Sequence, residues 1–341
     1  IYIRCLVIIA KGQYPIPFRT RKSSLSAPMV LCLKTWKSRT LLGLNQMKNL
    51  IVVTGGAGFV GSNLISLLLK KTRCKIISLD NYSSGNKRNH IKNNRVKYIK
   101  GNTLNIKRIF NKQKHKIKTI FHFGEFSRIF QSFKKFEQCF ESNSIGSNAV
   151  FKFCLDNKIK LIYSATSASL GNHGNDKNLS PYAFTKSKNL ELLGNLKKWF
   201  KFKFEIIFFY NVYGPKQIRT GEMATVIGIF ENQYLNQKSL TIVKPGNQTR
   251  RFTHIYDTVN ICYEAFKANK CKYYSISHKS SFSILQVASM FKSKVVFLKP
   301  RLGERYASSL TKMTYNNKII QKYGKLQLKD YVTSFIKSSK L

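Results

Sequence analysis

From Asn49 onward, apolar residues come in short unbroken runs, separated by longer stretches with an apolar residue every three or four positions. The runs are NLIVVTG at 49–55, KIISLD at 75–80, RVKYIKGN at 95–102, IKTIFHFG at 117–124, IKLIYSA at 159–165 and FEIIFFY at 204–210. Each has the length and the β-branched, aromatic character of a strand. Most lack a polar alternation, which is what strands buried on both faces show. Helical spacing occupies FVGSNLISLLLKK at 59–71, the stretch 137–157 and residues 182–200. The repeated β-α order predicts an α/β fold built on a parallel sheet with helices on both faces. After Tyr210 the regularity loosens: residues 212–255 mix turns, one helix near 223–236 and short strands. We therefore expect a smaller C-terminal lobe over 211–335, some of whose elements return to the main domain of 47–210.

The first strand runs directly into three glycines, Gly55, Gly58 and Gly61, and then into the first helix. Residues without a Cβ permit a tight turn and a close approach of phosphate to backbone, while the helix start aims free N–H groups and the positive end of its dipole at a pyrophosphate. Nineteen residues beyond Gly61, the second strand ends in Asp80. An acid there accepts hydrogen bonds from the adenosine ribose and repels a 2′-phosphate, which favours NAD over NADP. Strand, glycines, helix, strand and acid in this order predict a Rossmann-type doubly wound dinucleotide-binding domain.

Composition changes the picture in two places. Sixty basic residues face fourteen acidic ones, a formal charge of +46. The lysines are spread along the whole chain and accompany abundant Asn, Ile and Phe, so we read the charge as compositional drift and not as a dedicated nucleic-acid surface. The field still attracts anionic ligands. Residues 1–46 hold eight basic residues and no acidic one, with a serine-rich patch, RKSSLSAP. Two readings stand for them, a transit peptide and upstream sequence translated in error. Met47 directly before the first strand favours the second, and in both cases the extension is left out of the fold. The seven cysteines lie at irregular gaps with no C-x-x-C pair, as packed, reduced thiols of a cytoplasmic protein do. The six histidines show no ligand spacing, so no metal is expected. No run of eighteen apolar residues occurs, so no membrane span is expected.

Downstream, SPYAFTK places Tyr182 and Lys186 four apart at a helix start, on one face. An ammonium beside a phenol, with the positive charge of an oxidised nicotinamide, stabilises the phenolate and makes a base usable near neutral pH. Thr166 ends the strand KLIYSAT, where its hydroxyl can hold the same substrate oxygen.

The strings VTGGAGFVGSN, LDNYSSG, NSIGSN, YSATSASLG, SPYAFTK, YNVYGP and RRFTHIYD together resemble the extended short-chain dehydrogenase/reductase family, nearest to its nucleotide-sugar epimerases of the UDP-glucose 4-epimerase kind, over residues 48–335. The resemblance implies a place for each motif. Gly55, Gly58, Phe59, Val60 and Gly61 would hold the pyrophosphate of NAD. Asp80, Asn81, Ser84 and Gly85 would surround its adenosine, with Asn102 and Thr103 by the adenine. Phe123, Gly124, Glu125 and Ser127 would line the cofactor, with Asn143 behind it. Tyr182 would be the base, Lys186 would hold the nicotinamide ribose, Thr166 the sugar hydroxyl, and Tyr210 would face the nicotinamide. Asn211, Arg250 and Arg301 would contact the nucleotide sugar, a diphosphate suiting forked, charge-assisted donors. Relatives are often dimers that pair through a four-helix contact, so the resemblance also implies a homodimer.

The implied reaction is epimerisation at C4 of a nucleotide-diphosphate sugar through a transient 4-keto intermediate. Related dehydratases follow the strand threonine with an Asp-Glu pair, whereas Ser167-Ala168 follows Thr166 here. Alternatives are epimerisation at another carbon, as at the 6-position of an ADP-heptose, and reduction of a keto sugar. A dinucleotide sensor or RNA-binding protein is the reading from outside enzymology. Four places depart from the family pattern: Gly101-Asn102 replaces Gly-Asp, Gly124-Glu125 replaces two alanines, Leu170 replaces Tyr, and ten residues separate Gly171 from Tyr182.

Overall fold

The apolar runs become β1 (Leu50–Thr54), β2 (Lys75–Asp80), β3 (Val96–Lys100), β4 (Ile117–His122), β5 (Lys160–Thr166) and β6 (Phe204–Phe209). The computed structural model describes residues 48–170, 177–268, 273–304, 306 and 322–339. The extension 1–46, the segment 171–176, His173 and Cys5, Cys32 and Cys271 lie outside the described residues.

All six strands pair in parallel, and Tyr273–Ser275 adds a seventh, parallel to β6. Across the sheet the order is Tyr273–Ser275, β6, β5, β4, β1, β2, β3. This is the doubly wound order, and its reversal between β1 and β4 opens a crevice at the carboxyl ends of the strands. The expected sheet is thus the one that forms, and both of its faces are covered. Leu50 and Val52 belong to a core with Ile106, Phe151 and Leu193, while Ile51 and Val53 belong to another with Leu64, Val259 and Cys262. Successive residues of one strand feed opposite layers, as the pleat requires.

Two helices set the site. Phe59–Lys71 buries Leu64, Ile65 and Leu68 and ends in Lys70 and Lys71, whose charges complement the negative end of its dipole. Pro181–Phe200 starts where Ser180 accepts a hydrogen bond from the Ala183 N–H with Pro181 in the first turn, and it stops at left-handed Lys201. Tyr182, Lys186, Asn189 and Leu193 are buried along one stripe of it. The stretch 137–157 is broken: Phe136–Phe140, a π-helical turn Glu141–Gly146, then Ser147–Asp156.

Beyond β6, the helix Val226–Leu235 begins three residues later than expected, because Thr225 caps it by accepting from the Gly228 N–H at 3.0 Å. Leu240–Val243 pairs in parallel with Val295–Leu298, and Phe282–Ser283 antiparallel with Thr249–Arg250. Their apolar faces meet around Phe230, Phe252 and Phe291 in a third core. Among the described residues no helix is long and apolar enough to cross a membrane.

Candidate functional site

The turn after β1 needs its glycines. Gly55 has φ +70° and donates to Leu79 O at 2.8 Å. A Cβ on Gly61 would stand 2.2 Å from Gly55 O, which is backbone and cannot give. Gly124 is also tightly packed: its Cβ would fall 2.9 Å from Gly55 N, so a glycine here is what lets the ends of β1 and β4 approach. Gly58 is the N-cap of the 13-residue helix Phe59–Lys71 and supplies no side-chain cap, so the first-turn N–H groups face the cleft. Asp80 Oδ2 accepts from Ala57 N–H at 2.9 Å and Oδ1 from Tyr82 N–H at 2.8 Å. Burial raises its carboxyl above the usual range and these N–H groups oppose that. The acid therefore shapes the turn as well as offering oxygen to a ligand, and Gly85 lies directly against it.

Tyr182 and Lys186, from the helix Pro181–Phe200, and Thr166, from the end of β5, converge on the same cleft, of about 490 Å³. Tyr182 packs with Phe126, Cys139 and Ala168, and its backbone N–H donates to Ser132 Oγ at 3.2 Å. Thr166 Oγ1 accepts from Ala168 N–H at 3.1 Å. The Lys186 ammonium is buried, donates to Ser164 O at 2.5 Å, sits over the Tyr163 ring at 4.6 Å and pairs with Glu125. Burial pulls its pKa down and the Glu125 carboxylate opposes this.

Glu125 closes a directional chain. Thr54 Oγ1 accepts from the N–H groups of Phe123 and Gly124, at 3.1 and 3.0 Å, which leaves its O–H to donate to His122 Nδ1 at 2.8 Å. Nε2–H of His122 then donates to Ser147 Oγ at 3.0 Å, and the Ser147 hydroxyl donates to Glu125 Oε1 at 2.7 Å. The Tyr163 hydroxyl also donates to that oxygen, at 3.0 Å. Burial depresses His122 to about 4, in keeping with a neutral ring.

At the far end, Arg250 pairs with Glu304, Arg301 stacks over Phe130 at 5.2 Å, and Asn211 Nδ2 donates to Arg251 O at 2.9 Å. All three line the cleft, as do Phe59, Val60, Asn81, Ser84, Phe123 and Ser127. Other expected residues do not line it. Asn102 caps a short turn by accepting from Leu104 N–H, and Thr103 is buried under Gly146. Asn143, expected behind the cofactor, is fully buried and clamps the cleft-lining Phe126, accepting from its N–H at 2.7 Å and donating to its carbonyl at 3.0 Å. Tyr210, expected at the nicotinamide, is fully buried with its hydroxyl on Ser275 Oγ at 2.8 Å, and Phe209 takes the cleft wall instead.

Sequence reasoning missed two charged wall residues. Arg128 donates from Nε to Met223 O at 3.0 Å and Glu304 holds Arg250; neither stands in a motif that would have pointed to it. Among the described residues no group of three His, Cys, Asp or Glu stands close enough to hold a metal ion. An NAD molecule fits the residues present: open helix N–H groups for the pyrophosphate, Asp80 for the ribose, and an ammonium with a third N–H still to place.

A family model described as NAD dependent epimerase/dehydratase family matches residues 51–276. The dTDP-D-glucose 4,6-dehydratase of Dictyostelium discoideum is 31% identical over 238 residues, 62% of this chain and 54% of that protein, so the chain spans about half of that relative's length. An ADP-L-glycero-D-manno-heptose-6-epimerase of Brachyspira hyodysenteriae is 29% identical over 259 residues, 71% of this chain and 80% of that protein. Among solved structures, UDP-glucuronic acid 4-epimerase from Bacillus cereus, in complex with UDP-glucuronic acid and NAD, matches with a TM-score of 0.75 and 26% identity, covering 85% of this chain and 99% of that one.

Proposed function

Since the chain belongs to the NAD-dependent epimerase/dehydratase family, with NAD as its cofactor, we propose that it inverts C4 of a nucleotide-diphosphate sugar of the UDP-glucose/UDP-galactose type through a transient 4-keto sugar. One observation carries epimerisation over dehydration. Among the described residues three acids line the cleft, and each is engaged: Asp80 with the glycine turn, Glu125 with Lys186, Glu304 with Arg250. Ser167 and Ala168 follow Thr166, so the two positions directly after the strand threonine carry no carboxylate for the elimination of water.

In this reading Tyr182 removes the proton of the sugar 4-hydroxyl and later returns it, while Thr166 holds the same oxygen. Lys186 holds the nicotinamide ribose. NAD, when bound, supplies a reversible two-electron acceptor for the sugar carbon. Arg250 and Arg301 grip the diphosphate; Arg250 donates from Nη2 to Glu304 and from Nη1 to Thr249 O, which fixes the guanidinium, and its remaining N–H groups meet phosphate in this reading. In this reading the 4-keto sugar lets go of Tyr182 and Thr166 and turns on its diphosphate anchor to present its other face.

The enzyme is taken to work in the cytoplasm, where its free thiols Cys139, Cys154 and Cys262 stay reduced. It is taken to act as a homodimer, for which Phe136, 53% exposed, and Trp199, 63% exposed, offer apolar surface on neighbouring helices. Incubation of the purified protein and NAD with UDP-, ADP- and GDP-sugars, read by product analysis, tests the reading. Interconversion of C4 epimers with no dehydrated product is the expected result. Turnover of an ADP-heptose alone would move the reaction to another carbon, as the Brachyspira relative's name suggests.

A further inference from the structure

The carboxylate of Glu125 stands where the family resemblance leads one to expect a small apolar residue, and the fold spends four donors on it. Lys186, Ser147, Tyr163 and Asn189 all reach it, the last at 3.3 Å, and its side chain is 2% exposed. We propose that Glu125 is a positioning residue for the cofactor: it keeps the Lys186 ammonium charged inside the protein and aims it, so that one N–H remains for the nicotinamide ribose. The proposal rests on the placing of Lys186 at that ribose.

An ammonium has three N–H groups. One goes to Glu125 and one to Ser164 O. Lys186 also lines the cleft, which leaves the third N–H to meet a ligand there. The second point is charge. Other groups facing the ammonium are His122 from β4, Tyr163 from β5, Cys139 from the helix Phe136–Phe140 and Tyr182 one turn back on its own helix. Burial holds His122 neutral at about 4, lifts the Cys139 thiol to about 11 and raises Tyr163 well above the phenol range. Arg128, which faces Tyr182, is itself cationic. Among these described neighbours Glu125 is the carboxylate, so the protonation of a buried amine depends on it.

The test compares NAD dissociation constants across pH 6 to 10, by calorimetry, for the wild type, Glu125→Gln, Glu125→Asp and Lys186→Met. Without the carboxylate, burial drives the amine toward its neutral form. Glu125→Gln is therefore expected to lose NAD affinity on the alkaline side, the decline beginning at least about one pH unit below that of the wild type and reaching roughly tenfold at pH 9. Glu125→Asp, which keeps the charge, is expected to restore the wild-type profile, and serves on its own where Glu125→Gln does not fold. In the double variant with Lys186→Met, the Glu125→Gln change is expected to add nothing. Coincident pH profiles for Glu125→Gln and wild type, an Asp variant with a displaced profile, or additive losses in the double variant would overturn the proposal. NAD binding by Lys186→Met equal to wild type would instead remove Lys186 from the ribose, a failure of the functional reading itself.

Discussion

Tyr182 meets the cleft through its phenol while its backbone is tied to Ser132 and its ring lies among Phe126, Cys139 and Ala168, so a phenylalanine fits the same space. Tyr182→Phe is expected to bind NAD as the wild type does and to lose about 10²–10⁴-fold in turnover, the usual worth of a positioned acid–base group. Calorimetry and a steady-state assay check this together, and undiminished turnover would take the role from Tyr182. His122 sets a pH limit on stability. Its folded pKa, about 4, is below the 6.5 of the unfolded chain. Stability from the neutral ring is thus fully present above pH 6.5 and is lost as pH falls toward 4, at about 1.4 kcal/mol per pH unit. Chemical denaturation at stepped pH should show this slope on top of that of His254, which burial also depresses to about 4, and His122→Gln, which has no proton to gain, should remove its share. An unchanged slope would mean that other groups govern acid unfolding.

At the scale of elements, two glycines with different surroundings make opposite predictions. A Cβ at Gly61 meets backbone of Gly55 and Gly56 at 2.2 and 2.7 Å, so Gly61→Ala must displace the turn or the helix that follows. Lost NAD binding and a lower thermal midpoint are expected. Gly194, inside Pro181–Phe200, has nothing within 4 Å of its Cβ, so Gly194→Ala should stabilise by roughly 0.5–1 kcal/mol through helix propensity. A Gly61→Ala protein that binds NAD normally would contradict the packing of the turn. The same contrast shows what could be read from residues alone. The sheet and the glycine-turn helix were legible because apolar runs and local turn chemistry determine them. The wall was less so. Tyr210 was expected at the cofactor, but parity along β6 sends Phe209 to the cleft and its neighbour inward, where Ser275 from a distant strand supplies a partner. The Glu125–Lys186 pair joins residues sixty-one positions apart, and no local pattern announces it.

For the whole molecule, 60 basic residues against 14 acidic ones leave at least 46 cations with no acid to pair with. Glu125, Glu205, Glu231 and Glu304 are already engaged in ion pairs at low or moderate exposure. Self-repulsion is therefore a large destabilising field, and its screening length shrinks from ~30 Å to ~8 Å between 0.01 M and 0.15 M salt. The thermal midpoint should rise over that interval, while KM for an anionic nucleotide sugar rises with it. A midpoint that falls would show that the charge is balanced by arrangements other than screening. Tyr273–Ser275, drawn from the far third of the polypeptide, seals the flank of β6 through pairs from Ile206 to Phe208. Cut the gene after Tyr210 and that flank becomes a bare rim of amides and carbonyls, ready to recruit a second copy of itself. Such a truncation should gather in inclusion bodies, and supplying residues 211–341 as a separate polypeptide should bring it back into solution.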